Sequence, residues 1–216
     1  MSTKTRSLSP RLVAVFAVVA VAAVTLVGHP VHGTAKSSAA AVSTFSADDA
    51  VKLVTGKDGV LRFETAEDHT RYVWAGNPPL ADGLPAGDTA FITQGYIYPA
   101  GTLKGTDGVL PDGSPEFPDK VLGQWTCTGW WVGAGERSET APWISTHVFN
   151  FGAAPGKAML LTTGYDVDDL VIPIDRAVTG GSGTYAGARG VQTEVNLGYN
   201  ATNGINITYE IRLGGA

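Results

Sequence analysis

The stretch "VQTEVNLGYNATNGINITYEIRL", residues 191–213, decides the fold class. In its first half Val191, Thr193, Val195 and Leu197 alternate with Gln192, Glu194 and Asn196. In its second half Ile205, Ile207, Tyr209, Ile211 and Leu213 alternate with Asn206, Thr208, Glu210 and Arg212. Successive side chains on a strand point to opposite faces, so a period of two means two strands, each with an apolar face on a core and a wet face in solvent. On this reading Glu194, Glu210 and Arg212 face outward. "NATNG" between the two runs supplies the Asn and Gly that a chain reversal uses.

Upstream segments have the same character. "VLRFET" (60–65), "TRYVWA" (70–75), "AFITQGYIY" (90–98), "VLGQWTCTGWWV" (121–132), "WISTHVFNF" (143–151), "AMLLTTGY" (158–165) and "LVIPI" (170–174) are short and rich in β-branched and aromatic residues. Turn-rich pieces divide them, notably "NPPLADGLPAGD" (77–88) and the Gly/Pro/Asp-rich run 100–120. With 28 glycines and 12 prolines spread along 216 residues, and almost no helical period, the chain reads as one all-β domain over 58–216. About eight strands suit a sandwich or an eight-stranded antiparallel up-and-down barrel. Residues 36–57, small and polar, read as a flexible N-terminal segment.

The N-terminus has Lys4, Arg6 and Arg11 ahead of an uncharged run Leu12–Val27, then Gly33-Thr34-Ala35. That is the layout of a secretory signal cut after Ala35, with an uncleaved anchor as the alternative. Cleavage removes three positive charges and no acidic ones, taking the formal charge from −5 to −8. An acidic chain without a Lys/Arg stripe is a poor partner for nucleic acid or anionic membranes, so the membrane enters only through an uncleaved leader. Cys127 is the only cysteine, which excludes an internal disulfide.

In "AVTGGSGTYAGARG" (177–190), Gly181, Gly183 and Gly187 mimic a nucleotide-binding loop. Such a loop must open a helix whose N-terminus meets the phosphates, whereas here a period-two strand follows. The structural reading is a turn in which Gly180, Gly181 and Gly183 take positive φ and Gly190 ends a single helical turn. Tyr185 and Ala188 then plug one end of a barrel. This segment resembles the dirigent and allene oxide cyclase superfamily, whose members carry Gly-Gly-(Ser/Thr)-Gly-x-(Phe/Tyr) followed by Ala-x-Gly between two late strands. The resemblance extends back through "GDTAFITQGYIY" and "KVLGQWTCTGW" and forward to Leu213.

The resemblance implies an eight-stranded antiparallel barrel, a homotrimer, and a cavity that shapes a hydrophobic small molecule without a cofactor. Carried onto this chain, the cyclase glutamate on the first strand is Glu64, the polar amide Gln94 and the cysteine Cys127, the last two positions off the family's place. Ala66 stands where the family has a second asparagine. The acidic residues and arginine of dirigent proteins have Asp166, Asp168, Asp169, Asp175 and Arg176 as candidates. Tyr96, Trp125, His147, Phe149 and Tyr209 are candidate pocket walls, joined by Trp130, Trp131 and Trp143, whose faces suit a flat apolar ligand.

Each has a plainer alternative. Glu64 reads equally as an exposed strand charge, Gln94 as a partner of backbone or water, and Cys127 as a small buried hydrophobe. His147, sharing a face with Phe149 and Phe151, reads as a core or pocket-wall histidine. G-x-S-x-G is missing, "DVDDL" (166–170) lacks the features of a calcium loop, and neither Cys127 nor His147 has neighbours at ligand spacing, so no metal site is expected. The sequence therefore predicts a secreted barrel that binds a hydrophobic molecule and guides its cyclisation or isomerisation. The alternatives are binding without catalysis and a barrel whose interior is filled.

Overall fold

A computed structural model describes residues 43–75, 89–132, 143–166 and 171–214. The N-terminal segment 1–35, read above as a secretory signal, and Asp168 and Asp169 lie outside these residues. After a helix, α1 (Ala47–Val54), come eight strands: β1 (Leu61–Ala75), β2 (Ala90–Pro99), β3 (Gly123–Trp131), β4 (Trp143–Phe151), β5 (Ala158–Asp166), β6 (Ile174–Gly183), β7 (Gly190–Tyr199) and β8 (Ile205–Leu213). Each pairs antiparallel with the next, and β1 pairs with β8, so the sheet closes into an eight-stranded up-and-down barrel. Closure leaves no edge strand, which settles the choice between sandwich and barrel.

Two local expectations change. The pieces 60–65 and 70–75 are one continuous strand, whose pairing with β2 shifts register between Asp68 and Val73. The described part of the N-terminal segment is not a flexible lead: Ser46 caps α1 by accepting from the Asp49 N–H at 3.2 Å, and α1 buries Ala50 and Val54 in the barrel core. An N-cap serine followed by acidic first-turn residues is a favourable helix start that a reading tuned to strands passes over.

Alternation decides which residues meet inside. Phe63, Phe149, Phe151 and Tyr209 converge in one half of the lumen, with Phe63 5.0, 5.2 and 5.1 Å from the other three rings. Leu122, Leu160 and Ile211 complete this half, all fully buried. Tyr185 packs on Phe151 at 5.9 Å, and together with α1 it seals this end. Gly180 and Gly181 belong to β6 rather than to the turn; a side chain on Gly181 would meet the Tyr185 and Met159 carbonyls. Gly183 does take positive φ, at 59°, and starts the turn that carries Tyr185 and the partly buried Ala188 inward. Gly190 opens β7 opposite Leu213.

A second, smaller core lies outside the barrel. The connection from β2 to β3 folds over the outer face of β1 and β2 and buries Ala66, Tyr96, Tyr98, Leu103, Val109 and Val121. Tyr96 and Tyr98 donate their hydroxyls to the Gly113 and Gly108 carbonyls, both at 2.7 Å.

The faces of β7 are reversed from the sequence reading. Gln192, Glu194 and Asn196 are buried in the barrel, while Val191 is 47 % exposed. The physical reason is on the facing strands, which supply charged and hydrogen-bonding partners for exactly those polar groups, as described next. β8 follows the expected sense: Ile207, Tyr209 and Ile211 point inward.

Candidate functional site

The odd-numbered residues of β1 face the lumen, so Phe63 and Thr65 are followed inward by Glu67 and His69. Glu64 lies on the opposite face, and its carboxylate accepts three backbone N–H bonds from the overlying connection: Gly101 at 2.8 Å, Thr102 at 2.9 Å and Leu103 at 2.7 Å. It anchors that connection and does not reach the lumen. Gln94 and Tyr96, even-numbered on β2, are also on the outer face, and Trp130 is 57 % exposed there. Asp175 accepts from Thr193 Oγ1 at 2.7 Å on the outside as well. These residues are thereby removed from the candidate site.

Glu67 is the first-strand glutamate that reaches the interior. It accepts from Thr93 Oγ1 at 2.7 Å and from the Ile205 N–H at 2.8 Å, and His69 Nδ1 lies 3.5 Å away. The Glu67 contact raises the His69 pKa above its usual value, outweighing the opposite effect of burial. Continuing the Leu61, Phe63, Thr65 alternation by one more step would have found Glu67 in the sequence.

The end of the lumen remote from α1 holds a cavity of about 190 Å³. Its walls carry seven aromatic side chains: Tyr72, Trp74, Phe91, Trp125, Trp131, Trp143 and Tyr199. Trp131 and Trp143 lie 4.9 Å apart, and Tyr72 stacks on Phe91 at 5.6 Å. Polar groups on the wall are Glu67, His69, Thr93, Cys127, Asp166 and Asn203. Trp125 Nε1 is buried without a hydrogen-bond partner among the described residues. Phe149 and Tyr209 belong to the filled half below, and His147, fully buried, lies edge-on to Trp125 at 5.2 Å.

Between cavity and filled half runs a belt of buried polar side chains from four strands, β4 to β7. Arg176 (β6) donates from Nη1 to Asp166 Oδ2 (β5) at 2.9 Å and from Nη2 to the carbonyl and Oγ of Ser145 (β4), both at 2.8 Å. Its Nη1 is also 3.5 Å from Glu194 Oε1 (β7). His147 Nε2 is 3.2 Å from Asp166 Oδ2, and its Nδ1 is 3.5 Å from Glu194 Oε2, to which the Gln192 amide also donates. Burial and the Arg176 charge lower the His147 pKa to about 4, leaving a neutral imidazole at neutral pH. Burial alone would raise the Asp166 pKa, but the His147 and Arg176 contacts hold it below the usual carboxylate range. Burial and the Asp166 charge push Glu194 well above that range, and burial likewise pushes the Cys127 thiol up. Asp166 and Arg176, two of the residues named from the dirigent resemblance, thus meet inside the barrel. Glu194 and Gln192 were missed because their strand was assigned the wrong inward face.

No protein-family model matches the chain, and no curated protein matches it. Solved structures do. The pterocarpan synthase dirigent protein PsPTS1 superposes with a TM-score of 0.50 at 17 % identity over 70 % of this chain and 91 % of its own. The pterocarpan synthase dirigent protein GePTS1 gives 0.50 at 18 % identity, over 73 % and 86 %. A pyocyanin demethylase gives 0.45 at 14 % identity, over 72 % and 99 %. The fold is the dirigent-type eight-stranded barrel.

Proposed function

We propose that the protein binds a small, flat, apolar molecule in the aromatic end of its barrel and holds it in one conformation. The observation that carries this is the cavity of about 190 Å³ walled by seven aromatic side chains, in a barrel whose other half is fully packed. A dry cavity of roughly 150 Å³ accepts benzene, so a one- or two-ring compound fits here. Aromatic faces supply the contact area, and the unpartnered Trp125 N–H offers one donor that fixes orientation.

The finer reading is that the bound molecule is guided through cyclisation or isomerisation. Glu67 takes the part that the resemblance implied for Glu64: a carboxylate held by two donors stabilises positive charge developing on a bound ring. His69, beside it on the wall, carries a proton to or from the ligand. Constraint of one reactive conformer by the walls supplies the stereochemical control.

Titration with 2-naphthol, read by quenching of tryptophan fluorescence, tests the binding. Saturable quenching is expected, with affinity falling roughly tenfold in Trp131→Ala, the scale of one lost aromatic contact. Trp130→Ala, on the outer face, should leave affinity unchanged. Equal losses in the two variants, or no saturable binding, would overturn the proposal. Native mass spectrometry of protein from its own host then identifies the ligand, and Glu67→Gln against Glu64→Gln separates turnover from stability.

A further inference from the structure

The geometry assigns a second chemistry to the floor of the cavity: a divalent transition-metal site, best suited to Zn²⁺, formed by Cys127, His147 and Asp166. The sequence predicts no such site, because its three donors come from three different strands. β3 and β4 pair Cys127 directly opposite His147, and Asp166, at the end of β5 and paired with Trp143, reaches to within 3.2 Å of His147 Nε2. One donor atom from each residue lies within 4.8 Å of the other two, and all three residues are buried.

The spacing suits a metal. With metal–nitrogen and metal–oxygen bonds of ~2.0 Å, two ligands at a tetrahedral ion stand roughly 3.3 Å apart. His147 Nε2 and Asp166 Oδ2 are 3.2 Å apart. One thiolate, one imidazole and one carboxylate form a mixed donor set that favours Zn²⁺ over the hard cations, which prefer all-oxygen shells.

The surroundings supply the outer support such sites use. A metal-binding histidine needs its other ring nitrogen oriented by an acceptor, typically a carboxylate. His147 Nδ1 makes no hydrogen bond among the described residues; Glu194 Oε2, 3.5 Å away and fixed in turn by Gln192, is the carboxylate placed to accept from it when Nε2 is ligated. Ser145 Oγ donates to Asp166 at 3.2 Å. Thiolate ligation displaces the Cys127 proton. Arg176 donates to the same Asp166 Oδ2 at 2.9 Å, and the Cys127 thiolate adds negative charge that offsets the incoming ion.

Three protein ligands leave a fourth position. Cys127 and Asp166 line the cavity, so that position opens toward the bound molecule. An ion there binds and polarises a ligand oxygen, whatever the aromatic walls hold. This goes beyond the proposed binding function, which requires no metal.

Co²⁺ titration of the full chain, with metal content after dialysis, tests the site. One equivalent should bind, with a thiolate-to-cobalt charge-transfer band and the strong visible absorption of tetrahedral cobalt. Cys127→Ser should abolish the charge-transfer band and weaken binding at least tenfold. Glu194→Gln should keep the band while lowering affinity on the order of tenfold, as loss of an orienting carboxylate does. Near-ultraviolet circular dichroism confirms that each variant is folded. Absence of the band in folded parent protein, its persistence in Cys127→Ser, or weak octahedral binding removed by His69→Ala instead would overturn the assignment. The 2-naphthol titration on the same samples reports the cavity independently.

Discussion

β7 and β8 are neighbours with the same alternation, yet they turn opposite kinds of face to the lumen. β8 buries Ile207, Tyr209 and Ile211, whereas β7 buries Gln192, Glu194 and Asn196 and leaves Val191 outside. The difference teaches that a period of two gives the strand but not the sign of its inward face. That sign follows from what the other strands present at the same height. Opposite β8 stand Phe63 and Phe149; near the inward face of β7 stand Arg176 and His147, buried polar groups that an apolar strand would leave with fewer polar partners.

The comparison can be broken in order of effect. Arg176→Met should be the most damaging substitution, costing about 3–5 kcal/mol, because it leaves Asp166 and Glu194 buried without their cation. Urea unfolding measures it, and a loss under 1 kcal/mol would mean that the β7 face is not held by charge. Ile211→Ala on β8 should cost roughly 2–4 kcal/mol by opening a void in the filled half.

The pH dependence sharpens the same contrast. The His147 pKa is depressed to about 4 in the folded protein from its ordinary 6.5, so the unfolded chain binds this proton first. Stability from this group is present above pH 6.5 and lost as pH falls toward 4. Asp166, also depressed, adds a further loss below its ordinary value of 3.8. Glu194 acts with opposite sign: its raised pKa makes the native state bind the proton first, so its contribution grows as pH falls toward 4.5. Urea midpoints across pH 4–8 should therefore fall more shallowly on the acid side than in Glu194→Gln, which lacks the opposing group. The smallest effect belongs to Val191→Thr, within about 0.5 kcal/mol, since that side chain is half in solvent. A cost above 2 kcal/mol would restore the face read from sequence.

Fold class and an approximate strand count were legible because alternation and turn residues are local; alternation left sandwich and barrel open, the resemblance carried by residues 177–190 implied the barrel, and closure is seen in the pairing of β1 with β8. The plug at Tyr185 was legible from its glycines for the same reason. The candidate site was only partly so. Glu64 matched by spacing, but dividing β1 at Thr65 hid the parity that sends Glu67 inward, and the cover over Glu64 comes from residues 101–103, some 40 positions away. The meeting of Cys127, His147 and Asp166 depends on the register of three strands, which no spacing along the chain records.

Tyr185 and α1 close one end of the lumen, so among the described residues the cavity is reached from the opposite end, past Trp74 and His69. Under the proposed binding function a ligand leaves by the way it entered, and a newcomer waits on the departure of the occupant.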